Sequence, residues 1–409
     1  MLGKVLPTNP FWRSRFDQAG IDWQTIHTRA DLQRLPFLTK AELVADQQAN
    51  PPYGTNLSSP LSEYSRLHQT SGTTGTPLRW LDTPASWNWM LDCWGQLFSL
   101  MGVTPADRFL FAFSFGPFLG FWAGFEGANR LGNLCIAGGG LSSPARLQLI
   151  RENQVTIVGC TPTYALRLAE IAAEQGFDLA GSSVRALLLA GEPGANIAAT
   201  RRRLETAWGA RVFDHWGMTE LGPMAMESVA HPATLTLLET ECIPEIIDPQ
   251  TGTAVAAGEE GELVITNLGR WGSPLIRYRT GDRVRALPAV ESPHGWLTLA
   301  GGILGRTDDM LTIRGNNLYP AALEDVLREQ EGVAEFRIEL HSIKSMQHLR
   351  IEVEPTADVF RQGQTSELVQ QVAVTIKERW NFQAEVVEVA VGSLPRFEMK
   401  ARRFFRCEG

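Results

Sequence analysis

Cysteine is scarce in this chain. Its five copies, Cys93, Cys135, Cys160, Cys242 and Cys407, are odd in number and scattered, and no two stand in C-x-x-C spacing. That pattern speaks against a disulfide framework and a zinc ribbon, and makes a reducing, cytoplasmic setting the expectation. Positive charge is also short: 37 Lys and Arg face 45 Asp and Glu, for a net charge of −8. A general nucleic-acid binder needs clustered Lys and Arg on the phosphates, so no nucleic-acid partner is expected. Long apolar runs are missing. The opening MLGKVLPTNPFWRSRF has neither an apolar stretch nor a small-residue cleavage site, so no targeting segment is expected in it. The longest uncharged aromatic stretch, Phe109 to Phe125, falls short of a membrane span and is broken by Gly116, Pro117, Gly120 and Gly124. No membrane association is expected. Three reaction signatures are absent as well. The Walker loop G-x-x-x-x-G-K-[ST] does not occur, and the only Gly-Lys pair is Gly3-Lys4. The lack of G-x-S-x-G and H-E-x-x-H removes the usual esterase and zinc-protease readings.

Apolar material is ample: hydrophobic residues make up 44% of 409, enough for two or three domains. Phe109, Phe111, Phe113 and Phe115 alternate with smaller residues, the period of a strand with one crowded face. After the Gly116-Pro117 break, Phe118, Phe121, Trp122 and Phe125 recur at helical spacing, with Gly120 and Gly124 as a close-packing face. Most such aromatics are core, while a minority line a pocket for a flat ligand. From about Arg66 to Phe213, apolar strands take turns with helical patterns, which implies βα units and a mostly parallel sheet. From Thr234 to about Arg306 short strand-like segments between turn signals suggest a β-rich, antiparallel subdomain. Beyond Asp308 the pattern mixes strands and helices over about 100 residues, the size of an independent unit. The expected architecture is therefore α/β: a large N-terminal domain over 1–307 with mostly parallel sheets and a β-rich subdomain, then a small α+β domain over 308–409.

The sharpest local signal is QTSGTTGTP. Its two glycines let the backbone of Thr70, Ser71, Gly72, Thr73, Thr74 and Gly75 turn tightly and present N–H groups, with hydroxyls as further donors, so the segment can wrap phosphate oxygens. Taken alone, such clusters are usually plain turns. Other pieces follow in order. Gly191-Glu192-Pro193 ends the LLLA strand, where ligands of parallel sheets collect. Trp216-Gly217-Met218-Thr219-Glu220 puts a stacking ring, a hydroxyl and a carboxylate within five residues. In RYRTGD, Asp282 could accept both hydroxyls of a ribose, while Arg306 and Asp308 fall at the domain junction and Lys400 near the C-terminus in LPRFEMKARR. Each has a bland reading as turn, solvated acid or surface lysine.

Together, in this order, these segments resemble the adenylate-forming superfamily of acyl-CoA synthetases, carrier-protein adenylation domains and luciferases. The stretches FGPFLGFWAGFEGANRLG, AGEPG, WGMTELGP, PLIRYRTGD and GRTDDMLTIRGNNLYP are similar to its phenylacetate–CoA ligase group of aryl-CoA ligases. The resemblance implies ATP, Mg²⁺ and coenzyme A, with an aromatic acid activated as acyl-AMP and then transferred to a thiol. It implies that residues 70–75 cradle the β and γ phosphates, that Gly191, Glu192 and Pro193 border the adenine, and that Trp216 stacks on it. Thr219 would touch the α-phosphate, Glu220 would hold Mg²⁺, Asp282 the ribose, and Arg306 the ribose–phosphate region. Asp308 would be the hinge of a mobile C-terminal domain whose catalytic lysine is Lys400. Phe113, Phe115, Phe118, Trp122, Gly217, Gly222 and Pro223 would line the slot for the acid, for which phenylacetate, benzoate and amino- or hydroxybenzoates such as anthranilate all fit.

Three departures stand out. Trp216 replaces the family's usual Tyr, keeping a stacking face but losing a phenol. Met399 stands where the family has a glycine before the lysine. Ser292-Pro293-His294-Gly295 replaces the Cys-Pro-Cys-Gly turn of zinc-bearing relatives, and His231 has no cysteine nearby in sequence, so no structural zinc is expected. The thiol acceptor is left open between CoA and a carrier-protein phosphopantetheine, and an inactive nucleotide-binding relative is a third reading. A homodimer is also left open.

Overall fold

The computed structural model describes residues 1–70, 76–113, 115–288, 295–307, 311–313, 316–343, 346–380, 382–397 and 401–407. Contacts divide the chain into two compact units. The first comprises Met1–Cys160, Ser182–Ala190 and Phe213–Ile303; the second comprises Thr161–Gly181, Gly191–Val212 and Leu304–Gly409.

In the first unit a hairpin pairs β1 (Arg66–Gln69) with β2 (Arg79–Asp82), and the Ser/Thr/Gly motif lies between them. Alternation of strand and helix then yields β3 (Arg108–Phe111), β4 (Leu134–Ala137), β5 (Ile157–Cys160) and β6 (Ala186–Leu189). The segments IVGC and ALLL are buried at every position, as apolar runs in a covered parallel sheet must be. β7 (Arg211–Met218), β8 (Gly222–Met226) and β9 (Thr234–Leu237) extend the same sheet. β10 (Cys242–Ile247), β11 (Glu260–Asn267) and β12 (Tyr278–Arg285) pair antiparallel with one another in a second sheet, and β13 (Thr298–Ala300) returns to the edge of the first. The eight-stranded order is β13-β9-β8-β7-β6-β5-β3-β4. Pairs among β3, β4, β5 and β6 are parallel, and those from β7 through β8 and β9 to β13 are antiparallel. The expected α/β domain is thus present, its sheet changing sense where the hairpins begin.

Helix starts in this unit follow a shared rule. Thr83 and Ser142 cap the helices Pro84–Leu100 and Ser143–Glu152, each accepting a backbone N–H three residues on, with proline in the first two helical positions. The aromatic helix runs from Leu119 to Arg130. Its close-packing face differs from the sequence expectation. A Cβ at Gly127 would lie 2.6 Å from Cβ of Trp94 and one at Gly124 3.2 Å from its Cζ2, whereas Gly120 has nothing within 4 Å. Gly124 and Gly127, not Gly120 and Gly124, let this helix meet Pro84–Leu100, because the helix turns its i, i+3 row toward the indole.

The second unit holds the C-terminal α+β fold, in which β14 (Gly305–Arg306) and the hairpin of β15 (Leu311–Ile313) and β16 (Asn316–Leu318) come first. The long hairpin of β17 (Val333–Ile343) and β18 (Met346–Pro355) is flanked by β19 (Glu385–Glu388) and β20 (Phe404–Cys407), in the order β19-β18-β17-β20. Leu323, Val326 and Leu327 of the helix Pro320–Glu329 and Val372 and Ile376 of the helix Thr365–Trp380 form one core with Phe336, Ile338, Ile351 and Val353 of that sheet. By contact the helices Pro162–Glu174 and Ala198–Trp208 also belong to this unit, although they lie far ahead of its C-terminal part in sequence.

Candidate functional site

Thr70 ends β1. It is buried; its N–H donates to the Leu78 carbonyl at 3.0 Å and its hydroxyl accepts the Leu78 N–H at 3.0 Å, which closes the base of the motif. Ser71, Gly72, Thr73, Thr74 and Gly75 lie outside the described residues. The preceding Gln69 N–H donates to the Pro117 carbonyl at 2.8 Å, tying the motif to the Gly116-Pro117 break.

Trp216 and Asp282 come together at the sheet. The indole Nε1–H donates to Asp282 Oδ2 at 2.9 Å, and both residues are buried. Asp282 is set by its own strand: its N–H donates to the Thr280 hydroxyl, which in turn donates to the Leu263 carbonyl. Gly217 could be no other residue without movement, since a Cβ there would lie 2.6 Å from the Gly222 carbonyl oxygen and 3.1 Å from Cα of Pro223. A register shift between Trp216 and Gly217 pairs Gly217 with Pro223 and Met218 with Gly222, so these three expected slot residues meet.

Glu220 is 2% exposed, and its Oε1 has no hydrogen-bond partner, though Lys40 Nζ stands 3.4 Å away. The turn that carries it is held by a group the sequence did not single out. Arg270 forks onto Asp82, Nε to Oδ1 at 2.8 Å and Nη2 to Oδ2 at 2.6 Å, and neither side chain is exposed at all. Its remaining Nη1 donates to the carbonyls of Thr219 at 2.6 Å and Glu220 at 2.9 Å. Burial alone would raise the Asp82 pKa, but the Arg270 guanidinium and His68 hold it below the usual carboxylate range. His68, just ahead of the phosphate-type motif, lies 3.8 Å from Asp82 and stacks on Trp87. One buried ion pair thus joins the hairpin to the Thr219-Glu220 turn. A lone Arg within Gly269-Arg270-Trp271-Gly272 carries no sequence signal of that role.

The aromatic side chains of this region contact one another. Phe111 meets Phe113 at 6.3 Å and Phe125 at 5.6 Å between ring centroids, and Phe115 meets Trp122 at 4.8 Å. Phe118 is half-buried, one residue ahead of the aromatic helix. Behind β4, a Cβ on Gly139 would lie 2.8 Å from both the Phe113 carbonyl oxygen and the Phe115 ring. His215, next to Trp216, was not anticipated; its ring stacks on Trp94 with centroids 4.6 Å apart and planes at 14°.

In the second unit Glu192 is engaged by backbone. Its carboxylate accepts the Thr163 N–H at 2.9 Å and the Ala401 N–H at 2.6 Å. Gly191 has a φ of 96°, a conformation that favours glycine, and Pro193 follows Glu192. Arg403 forks onto Glu335 and also donates to the Thr163 hydroxyl. Arg306 is half-buried in β14. Asp308, Met399 and Lys400 lie outside the described residues, as do Ser292, Pro293 and His294. His231 has its Nδ1 3.5 Å from the Ser228 hydroxyl. Glu339, His341 and Cys407 approach one another on β17 and β20, but Glu339 already meets Arg337 at 2.9 Å and Arg350 at 3.4 Å, so the cluster reads as an ion-pair network. Among the described residues no helix is long and apolar enough to cross a membrane.

The AMP-binding enzyme family matches residues 28–269, and the AMP-binding enzyme C-terminal domain matches residues 315–406. Over 406 residues the chain is 32% identical to the phenylacetate-coenzyme A ligase of Escherichia coli (strain K12), covering 97% of this chain and 90% of that one. It is likewise 32% identical over 397 residues to the phenylacetate-coenzyme A ligase of Pseudomonas putida, covering 96% and 88%. A crystal structure of 2-hydroxyisobutyryl-CoA ligase in the postadenylation state with 2-HIB-AMP matches with a TM-score of 0.93 at 28% identity, over 98% of this chain and 86% of that chain. With its motifs in order on this fold and relatives aligned over nearly its whole length, the chain belongs to the AMP-binding enzyme family, as an adenylate-forming ligase of the phenylacetate–CoA ligase-like kind.

Proposed function

We propose that this chain is an ATP-dependent aryl-CoA ligase of the cytoplasm. It joins an aromatic carboxylic acid to AMP with release of pyrophosphate, then passes the acyl group to the thiol of coenzyme A with release of AMP. The observation that carries this reading is the buried Trp216–Asp282 pair, a broad ring and a carboxylate 2.9 Å apart that suit an adenine face and a ribose diol. The aromatic wall from Phe111 to Phe125, and the phenylacetate-coenzyme A ligases to which the chain is similar, support an aryl acid. Five free thiols suit a reducing compartment.

A carboxylate is a poor acyl donor because its leaving group would be oxide. Attack of the carboxylate oxygen on the α-phosphorus of ATP breaks the bond to pyrophosphate, and the acyl group then sits on a phosphate ester that leaves readily. No general base is needed, since the acid is ionised near pH 7. Negative charge gathers on the α-phosphoryl oxygens, so catalysis rests on positioning and cations. In this reading residues 70–75 hold the β and γ phosphates, Thr219 and Lys400 meet the α-phosphate, and Arg306 reaches the ribose–phosphate region. Mg²⁺ fits Glu220, whose buried oxygen without a hydrogen bond is a hard ligand of the kind the ion takes together with phosphates. Bound there, it would supply positive charge to the phosphate oxygens. The Asp82–Arg270 pair keeps the Thr219-Glu220 turn from relaxing away from them.

For the second step the CoA sulfur attacks the acyl-AMP carbonyl, the C–O bond to AMP breaks, and the thiol proton passes to solvent. A domain over 308–409 turning about Asp308 would exchange Lys400 for a thiol path. A carrier-protein phosphopantetheine is the competing acceptor. The test is AMP release with phenylacetate, benzoate, anthranilate and 2-hydroxyisobutyrate, each with ATP and either CoA or a holo-carrier protein. An aryl acid with CoA is expected to give the highest rate. Faster turnover of 2-hydroxyisobutyrate than of every aryl acid, or a requirement for the carrier, would overturn the assignment.

A further inference from the structure

Between Lys400 and β20 stand Ala401, Arg402 and Arg403, and two of the three are held from outside the strand. β20 pairs with β17, and the Arg403 carbonyl accepts the Ile338 N–H at 2.7 Å, which ties its backbone to the C-terminal sheet. The Arg403 side chain is tied there as well. It forks onto Glu335 of β17, Nε to Oε1 at 2.7 Å and Nη2 to Oε2 at 2.9 Å, and both residues are buried. Burial alone would raise the Glu335 pKa, but Arg403 and Arg328 hold it below the usual carboxylate range, so the fork is an ion pair at pH 7. One nitrogen, Nη1, is left over. It donates to the Thr163 hydroxyl at 3.3 Å, across 240 residues of sequence, while Glu324 stands beyond hydrogen-bond reach at 4.0 Å. Thr163 also takes part in a second hold. Its N–H donates to one oxygen of Glu192 at 2.9 Å, and the Ala401 N–H donates to the other at 2.6 Å. Thr163 is thus joined through its backbone to the group that grips Ala401, and through its hydroxyl to Arg403.

We infer that Thr163 is a positioning residue for acyl-AMP formation: by its hydroxyl on Arg403 and its N–H on Glu192 it fixes residues 401–403, and so the place from which Lys400 starts. This rests on the ligase reading above, with Lys400 as its ammonium, and adds a residue that acts on the reaction only through another. The C-terminal sheet does not need the Thr163 contact, because β17 and Glu335 already anchor Arg403 to it. What the contact restrains is the peptide directly after the lysine. Adjacent Cα atoms are about 3.8 Å apart, so holding Ala401 and Arg403 confines the root of the Lys400 side chain. A long, flexible ammonium stabilises developing charge only where it is preorganised, and a misplacement of about 1 Å costs up to about 100-fold. Thiol attack on the acyl-AMP makes no use of that ammonium, so the same contact is idle in the second step.

The experiment removes the acceptor and asks which step notices. Thr163→Val keeps the shape and the N–H but loses the hydroxyl, Thr163→Ala loses it with less bulk, and Thr163→Ser keeps it. Each variant is checked for folding by its thermal melt, then assayed by pyrophosphate exchange and by thioester yield from chemically made acyl-AMP and CoA. Thr163→Val and Thr163→Ala should lose about 10-fold in the kcat of exchange, the loss of one hydrogen bond from a charged donor, with the KM for ATP unmoved and the thioester step kept. Thr163→Ser should restore the exchange rate. Thr163→Val is then combined with Lys400→Ala. A residue that acts through Lys400 has nothing left to position there, so the second substitution should add no further loss. The inference is overturned by equal losses in both half-reactions, by a loss in the ATP KM in place of kcat, by wild-type exchange in the folded valine and alanine variants, or by the full further loss on top of Lys400→Ala. Those results leave the ligase reading standing. A wild-type enzyme that forms acyl-AMP from no acid would sink both.

Discussion

Trp216 and Asp282 lie 66 residues apart in sequence, yet one hydrogen bond makes them a single device. A tyrosine at 216 would keep a stacking face, but its phenol is placed differently from an indole N–H, so the bond to Oδ2 belongs to this chain's tryptophan. In the proposed nucleotide site one Asp282 oxygen is steadied by Trp216 and the carboxylate accepts the ribose. Hydrogen bonds to an ionised group are worth about 1.5–3 kcal/mol. Asp282→Ala should therefore raise the KM for ATP by about 10- to 100-fold. Trp216→Phe, which keeps a ring and loses the donor, should raise it less. Steady-state kinetics with ATP as the varied substrate checks both, and an ATP KM unmoved in Asp282→Ala would remove that residue from the site. The residue types were legible because WGMTE and RYRTGD each carry their chemistry locally. The bond between them was not, since nothing in either motif encodes a partner on another sheet.

At the scale of elements, period and burial served well where a segment's fate is decided by its own pattern. IVGC and ALLL became buried parallel strands, and FLFAF with the helix after it became an aromatic wall. Pairings that depend on distant partners were hidden. Neither the Asp82–Arg270 clamp, spanning 188 residues, nor the grouping of Pro162–Glu174 with the C-terminal strands leaves a trace in local composition. Glu192 is the sharpest case. The motif suggested an adenine border, whereas its carboxylate accepts the N–H groups of Thr163 and of Ala401, the residue after Lys400. Both readings can be weighed by one substitution. Glu192→Gln keeps the shape but turns an NH₂ toward one of the two N–H groups, losing a charge-assisted bond and leaving two donors face to face. If Glu192 steadies the lysine segment, the kcat for acyl-AMP formation should fall by about 10-fold or more with little change in the ATP KM. If it lines the adenine, the change falls on the KM instead.

For the whole molecule, two half-reactions make opposed demands. Transfer of the α-phosphoryl group gathers negative charge and needs an ammonium close by, whereas thiol attack on the acyl-AMP needs a clear approach to the carbonyl. With Lys400 as the proposed ammonium, a single fixed arrangement would serve the first and obstruct the second. In that proposal domain turning about Asp308 would resolve the conflict and assign each residue to one step only. Lys400→Ala should lose acyl-AMP formation by roughly 10²–10³-fold, the usual loss for one preorganised electrostatic contact, yet still convert supplied acyl-AMP and CoA to thioester. Asp308→Pro fixes φ at the hinge and should do the reverse, sparing acyl-AMP formation while slowing thioester formation. Each variant, once shown to be folded, is assayed in both half-reactions, with pyrophosphate exchange reporting the first and thioester yield from chemically made acyl-AMP the second. The diagnostic quantity is the crossing of the two losses. Equal damage to both steps in Lys400→Ala, or none to either in Asp308→Pro, would mean that one arrangement of this chain carries the whole reaction.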